Sequence, residues 1–219
     1  RLFKHVHTSV CADQRRALEV SDIGNLLCET EKASSCGSLP IELQTTKNIF
    51  ALMFLLRGIP FVDLAYLRKA DIQGNTLKYR RRKTGRLLTV MLTPDAIKLI
   101  RIVAKTKPES PYLFPFLSSP EGTEAAYHEY QSSLRMFNYR LSRLKKYMKT
   151  AAHLSSYTIR HTWATMAYYC EIHPGIISEA MGHSSIKVTE TYLKPFQNEK
   201  IDNANSQVIS YVKEYASIV

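Results

Sequence analysis

Between Tyr157 and Tyr192 the chain gathers a phenol nucleophile, a fixed cation and two imidazoles in one short segment. The stretch reads Tyr157-Thr158-Ile159-Arg160-His161-Thr162-Trp163-Ala164-Thr165, then Met181-Gly182-His183-Ser184-Ser185-Ile186, then Thr189-Glu190-Thr191-Tyr192. Side chains of these types can grip a phosphate, move a proton and attack phosphorus. Cleaving a phosphodiester with a tyrosyl hydroxyl needs that nucleophile, cations on the non-bridging oxygens and an acid for the departing oxygen. Arg160 suits the phosphate because its planar fork donates two parallel hydrogen bonds and stays charged at any working pH. A lone Arg on a helix is ordinarily a surface charge, but His161, Trp163 and Gly182-His183 are odd company for a solvated face. His183 can donate to a phosphate oxygen, handle a proton, or serve as a hydrogen-bonded structural His. Tyr192 is one of 13 tyrosines, and its place nine residues after His183 is what singles it out.

These residues must be positioned by helices and one hairpin. The spacing predicts a short helix near Ser21 and Asp22, which can cap it, carrying Ile23, Leu26 and Leu27. Glu31 to Ser38 is a loop by composition. A core helix follows from about Pro40 to Leu56, with Ile49, Leu52, Met53 and Leu56 at helical spacing and enough apolar content for burial on most sides. Gly58 and Pro60 end it, and Asp63 to Leu67 form a short helical piece. Leu77 to Leu92 reads as two strands about a Thr84-Gly85 turn. Thr93-Pro94-Asp95 opens a helix to about Ala104. After a Pro- and Ser-rich loop, Thr123 to Lys149 is helical, with the apolar stripe Leu134, Phe137, Leu141, Leu144 and Met148. Its basic remainder, Arg135, Arg140, Arg143, Lys145 and Lys146, fits a solvated face or a DNA-facing one. His183 falls at a helix end, with Ser184 and Ser185 placed to cap a helix carrying Tyr192. Lys200 to Tyr215 is a final helix with Ile201, Val208, Ile209 and Val212 apolar.

The chain has 219 residues, long enough for a buried core, and 30 Lys and Arg against 19 Asp and Glu give a net charge of +11. That balance favours a polyanionic partner over an acidic small molecule. Cys11, Cys28, Cys36 and Cys170 show no CxxC spacing, and no signal peptide or bilayer-length apolar run is present, which points to reduced thiols and the cytoplasm. His153, His161, His173 and His183 match no metal-ligand spacing, so a metal-dependent hydrolase is disfavoured.

The segments Arg160-His161-Thr162-Trp163-Ala164-Thr165 and Gly182-His183-Ser184-Ser185-Ile186, with Tyr192 nine residues beyond His183, resemble the C-terminal signature of the tyrosine recombinases, the phage integrase family. The resemblance runs from the helix before Gly58 to Tyr192. It implies an α+β, mainly α, catalytic domain with a small antiparallel β-sheet over 18–219. It also implies DNA cleavage through a 3′-phosphotyrosyl intermediate, with no metal or other cofactor. On the same resemblance Tyr192 is the nucleophile, Arg160 the second phosphate-binding arginine and His183 the histidine near the scissile phosphate. Lys83 looks like the lysine that protonates the leaving 5′ oxygen, although among Arg80, Arg81, Arg82 and Arg86 a lysine read alone would be a backbone-contacting charge. Residues 1–17 read as a linker from a core-binding domain upstream.

Two departures from the family pattern stand out. Where the family has Gly-Leu-Arg-x-x-Glu-Leu, this chain has Gly58-Ile59-Pro60-Phe61-Val62-Asp63-Leu64, so Pro60 replaces the first arginine. Arg57, immediately before Gly58, is the candidate substitute, and divergent integrases of bacterial mobile elements look similar here. Tyr157 stands where the family more often has the His of His-x-x-Arg. A phenol can donate a hydrogen bond there but cannot act as a base near neutral pH, leaving His183 as the proton acceptor and His161 in a supporting role.

The resemblance predicts double-stranded DNA as substrate and partner, a homotetramer on DNA from a chain that is monomeric alone, and possible DNA-bending accessory proteins. It places the protein in the bacterial cytoplasm, at the nucleoid, with no membrane association. The competing readings are a DNA-binding member of the fold that has lost catalysis, supported by Pro60, and a type IB topoisomerase.

Overall fold

The computed structural model describes residues 17–27, 39–148, 150–193, 196 and 198–216. Its helices are α1 (Val20–Leu27), α2 (Ile41–Leu55), α3 (Phe61–Ala65), α4 (Pro94–Val103), α5 (Glu124–Met148), α6 (Thr158–Tyr169), α7 (Pro174–Ala180), α8 (Ile186–Glu190) and α9 (Asn198–Ala216). A sheet of β1 (Ile72–Gln73), β2 (Thr76–Arg80) and β3 (Leu87–Met91) lies between α3 and α4 in sequence and is antiparallel throughout, in the order β1-β2-β3. This is the α+β, mainly helical architecture expected. The linker expected over 1–17, apart from Ala17, and the loop from Glu31 to Ser38 fall outside the described residues.

The hydrophobic periodicities account for most of it. In α2, Phe50, Ala51, Leu52 and Met53 are buried in succession, because α4, α5 and α6 all pack around the helix. In α5 the buried stripe is Phe137, Leu141 and Leu144, flanked by half-buried Leu134 and Met148, while Arg135, Arg143 and Lys146 stay exposed. Phe61 joins α3 to α5, its ring 4.8 Å from that of Phe137 and 4.9 Å from that of Phe116. In the hairpin, Leu77 pairs with Val90 and Tyr79 with Leu88, all four pointing into the core, whereas Lys78, Arg80 and Thr89 alternate outward. Thr93 caps α4 by accepting from the Ala96 amide at 3.3 Å.

Three local expectations shift. Helix α1 begins at Val20, so Ser21 and Asp22 lie within its first turn rather than capping it, and the Asp22 carboxylate instead accepts from Thr150 Oγ1 at 2.7 Å. The piece placed at Asp63 to Leu67 is α3, starting at Phe61, because Pro60 is extended and fixes the helix start there. Helix α8 ends at Glu190, and Ser185 precedes it with extended backbone but no side-chain cap. Tyr192 therefore sits just beyond the helix, its amide bonded to the Thr189 carbonyl at 2.9 Å.

Candidate active site

The site forms where the end of α2, helix α6, the turn after α7 and the tip of the β2–β3 hairpin meet. Arg57 and Gly58 both have positive φ (60° and 66°), which folds the chain back at the end of α2. A Cβ on Gly58 would stand 3.0 Å from the Arg160 Cα, so only glycine allows this approach to α6. The Gly58 carbonyl then accepts from Arg160 Nη1 at 2.8 Å.

Arg160 is 1% exposed and its second arm is held as firmly as the first, Nη2 donating to the Met181 carbonyl at 2.7 Å and to His183 Nε2 at 2.8 Å. Among the described residues Nε makes no hydrogen bond of its own, while the guanidinium as a whole interacts with the Tyr192 hydroxyl. Burial, and next the nearby Arg81, pull the Arg160 pKa down, yet a guanidinium remains charged at any working pH.

His183 is buried between this arginine and α8. Arg160 can only donate, so Nε2 is the acceptor and the proton sits on Nδ1, which donates to Thr189 Oγ1 at 2.8 Å. Burial lowers its pKa to about 3, with the Arg160, Arg81 and Lys83 charges acting in the same sense, so the imidazole is neutral at pH 7. The unfolded imidazole titrates near 6.5. The native state therefore takes up this proton later than the unfolded chain, and stability is lost as pH falls from about 6.5 toward 3. Wild type should lose on the order of a few kcal/mol more than His183→Gln over that window, read from urea midpoints at stepped pH. Asp63, whose pKa is raised by burial, works in the opposite direction in both proteins and cancels from the difference.

The Tyr192 ring stacks on His183 with centroids 5.0 Å apart, lies 4.5 Å from the His161 ring, and has the Arg160 guanidinium 5.8 Å from its centroid. Thr165 Oγ1 fixes its backbone by donating to the Tyr192 carbonyl at 3.1 Å. Burial raises the Tyr192 pKa and Tyr157 adds to this, with Arg160 opposing, so the phenol is protonated at neutral pH and needs a base before it can attack. Tyr157, 42% exposed, stands at the N-terminus of α6 with its ring centroid 6.3 Å from that of His161 and its phenol in hydrogen-bond reach of the Tyr192 hydroxyl.

Lys83 is exposed in the six-residue loop between β2 and β3, near enough to His183 to depress its pKa. Arg57 is half-buried, and its charge bears on Tyr79 beside the cluster. The structure thus brings Tyr192, Arg160, His183 and His161 into direct contact and leaves Arg57 and Lys83 at the margin.

Asp63 and Arg81 belong to the site and were not singled out from the sequence. Both are buried; Arg81 Nη1 lies 3.8 Å from Asp63 Oδ2, Arg81 Nε donates to the Met181 carbonyl at 3.1 Å, and Asp63 Oδ1 accepts from the Arg82 amide at 2.9 Å. Strand alternation could have found Arg81, since it continues the inward series Leu77, Tyr79, Arg81. Gly182, at φ 66°, lies under it, and a Cβ there would meet Arg81 Cδ at 2.8 Å. Gly182→Ala should cost about 1–3 kcal/mol, from left-handed backbone and the displaced arginine together, measured by thermal unfolding.

The arrangement is a neutral imidazole and a protonated phenol around a buried arginine pair with spare donors, which suits a phosphodiester better than a metal. Among the described residues no group of three or more His, Cys, Asp or Glu is placed to hold a metal ion, and no helix is long and apolar enough to cross a membrane.

Comparison with solved structures shows the same fold at low identity. The XerA recombinase matches with TM-score 0.57 at 16% identity, over 87% of this chain and 64% of that one. The XerH site-specific recombinase bound to palindromic difH substrate matches with TM-score 0.62 at 16% identity, over 87% and 52%. The Tn1549 transposon integrase in complex with a circular intermediate DNA matches with TM-score 0.57 at 15% identity, over 88% and 66%. The chain thus spans between about half and two thirds of these proteins. No curated protein matches the sequence. The model of the phage integrase family matches residues 22–199, and with that match over most of its length the chain belongs to the phage integrase family.

Proposed function

We propose that this chain is the catalytic part of a tyrosine recombinase that cleaves and rejoins double-stranded DNA for a bacterial mobile element. The observation that carries the reading is the packing of a buried, protonated Tyr192 against neutral His183 and an Arg160 with a spare Nε donor, all within one protomer. Tyr192 Oη attacks phosphorus and its proton passes to His183 Nε2. The bond from phosphorus to the 5′ oxygen breaks, and Lys83 gives that oxygen a proton, leaving a 3′-phosphotyrosyl link. In the free protein Arg160 occupies the lone pair that His183 needs as a base. A phosphate drawing Arg160 toward itself frees Nε2 and brings negative charge beside it, and both raise the basicity of His183. Arg57 supplies the second cation on the phosphate where Pro60 cannot, its side chain reaching from the left-handed turn before Gly58. Tyr157 and His161 flank the nucleophile and hold its ring. Attack is in cis, because Tyr192 already lies against its own chain's Arg160 and His183.

The excess of positive charge provides sequence-independent, salt-sensitive attachment. An upstream core-binding domain joined through residues 1–17, a tetramer on DNA, DNA-bending accessory proteins and a place at the bacterial nucleoid complete the reading. Helix α9 fits the tetramer, since Ile201, Val208, Ile209 and Val212 along it are exposed and suited to a neighbouring protomer. The test is trapping. Incubated with a nicked duplex bearing the element's end, the protein should form a denaturation-stable adduct that mass spectrometry maps to Tyr192. DNA binding with no adduct would sink the catalytic reading.

A further inference from the structure

The tip of the β2–β3 hairpin is docked on the turn that carries His183 through three consecutive carbonyls. Arg81 Nε donates to the Met181 carbonyl at 3.1 Å, Thr84 Oγ1 to that of Gly182 at 3.1 Å, and Arg86 Nη1 to that of His183 at 2.5 Å. These oxygens follow the C-terminus of α7, where helix carbonyls lack internal partners and the dipole favours cations. Within the loop, Gly85 N bonds to the Arg81 carbonyl at 2.7 Å and Arg81 N to that of Arg86 at 2.9 Å, so the loop is closed on itself before it is docked. The residue left at its apex is Lys83, whose ammonium has no hydrogen bond or ion pair among the described residues. Four rotatable bonds give lysine no intrinsic direction. Its location is set by where the loop is pinned.

We infer that Thr84 and Arg86 are positioning residues: their bonds to the Gly182 and His183 carbonyls hold Lys83 at a fixed place relative to His183, so that the proton donor for the leaving oxygen and the proton acceptor for Tyr192 are set by one joint. The inference rests on the roles proposed above for Lys83 and His183. It differs from a purely structural role for these bonds, in which their loss would disturb His183 and Tyr192 as much as Lys83.

The leaving group separates the two. A duplex with sulfur in place of the bridging 5′ oxygen expels a thiolate, which needs no proton because its conjugate acid is far stronger than an alcohol. The assay uses the wild-type protein, Lys83→Ala, Thr84→Val and Arg86→Met on nicked duplexes bearing the element's end, one with the natural oxygen and one with bridging sulfur. With oxygen, Thr84→Val and Arg86→Met are each expected to slow adduct formation by about 10- to 100-fold, part of the roughly 10²- to 10⁴-fold worth of a general acid. With sulfur, both should return to within about threefold of wild type, as Lys83→Ala should, and Thr84→Ser should match wild type on both duplexes. If Lys83→Ala is rescued by sulfur but Thr84→Val and Arg86→Met are not, the positioning role is wrong while the proton-donor role stands. If Lys83→Ala is not rescued although wild type cleaves, the role of Lys83 itself is wrong, and with it the inference. Cleavage by wild type of neither duplex would overturn the proposed function beneath both.

Discussion

Tyr192→Phe is expected to abolish covalent attachment to DNA, by at least about 10⁴-fold, while leaving the stability of the free protein within about 1 kcal/mol of wild type. The two halves of this expectation have different causes. Stability is preserved because the ring does the packing: it stacks on His183 at 5.0 Å and lies tilted against His161 at 4.5 Å, and its backbone carbonyl keeps the Thr165 bond, none of which needs the hydroxyl. Activity is lost because the hydroxyl is the attacking atom and no other is poised in its place. Tyr157, the other phenol in the segment, reaches the Tyr192 hydroxyl with its own but stays 42% exposed, away from the buried arginine. Denaturing gels of trapped complexes and urea titrations of the free variant measure the two halves separately. An adduct that persists in Tyr192→Phe and maps to Tyr157 would transfer the nucleophile's role to that residue.

The part of this site legible in the sequence is the part carried by local spacing. Arg160 and His161 are adjacent, and His183 follows the Gly182 that ends α7, so the family signature they resemble already grouped them with Tyr192. What escaped is set by tertiary pairing. Asp63 sits in Phe61-Val62-Asp63-Leu64, an acid among apolar residues, and reads as the polar face of a short helix until Arg81 is known to lie opposite, across a stretch of chain that no local period spans. Arg81 is hidden in the run Arg80-Arg81-Arg82-Lys83, which looks like a solvated basic cluster, although the strand's alternation turns Arg80 outward and Arg81 inward. The sheet's third strand, Ile72–Gln73, is two residues long and offers no alternation to read. The end of α8 before Tyr192 was equally unreadable, because a five-residue helix followed by a turn has nearly the spacing of a longer helix. The helices α2, α4 and α5, long and strongly patterned, were legible almost to the residue.

Asp63→Ala should be the most destabilising single change in the site, costing about 3–5 kcal/mol, because it leaves buried cations uncompensated. Asp63 is the buried carboxylate whose charge faces Arg81 and Arg160, Arg82 being paired with Glu121 as well, and among the described residues Arg81 Nη1 has no hydrogen-bond partner even with Asp63 present. Burial raises the Asp63 pKa while the arginines and the Arg82 amide hold it down. The cluster is therefore short of negative charge in the free protein, a condition that a bound phosphate would relieve and that loss of Asp63 would worsen. Asp63→Asn should cost less than Asp63→Ala, since an amide oxygen still accepts from the Arg82 amide. The informative comparison is the double variant. If the loss arises from an unpaired Arg81, then Asp63→Ala combined with Arg81→Met should recover part of it, giving a coupling of roughly 1–3 kcal/mol in urea denaturation. Strict additivity would instead mean that Asp63 acts through the Arg82 amide and the hairpin backbone alone. Salt offers a second reading of the same physics. Phosphate should stabilise wild type more than chloride does at equal ionic strength, because its oxygens can meet the spare donors on Arg81 and Arg160 that a general ionic atmosphere cannot reach.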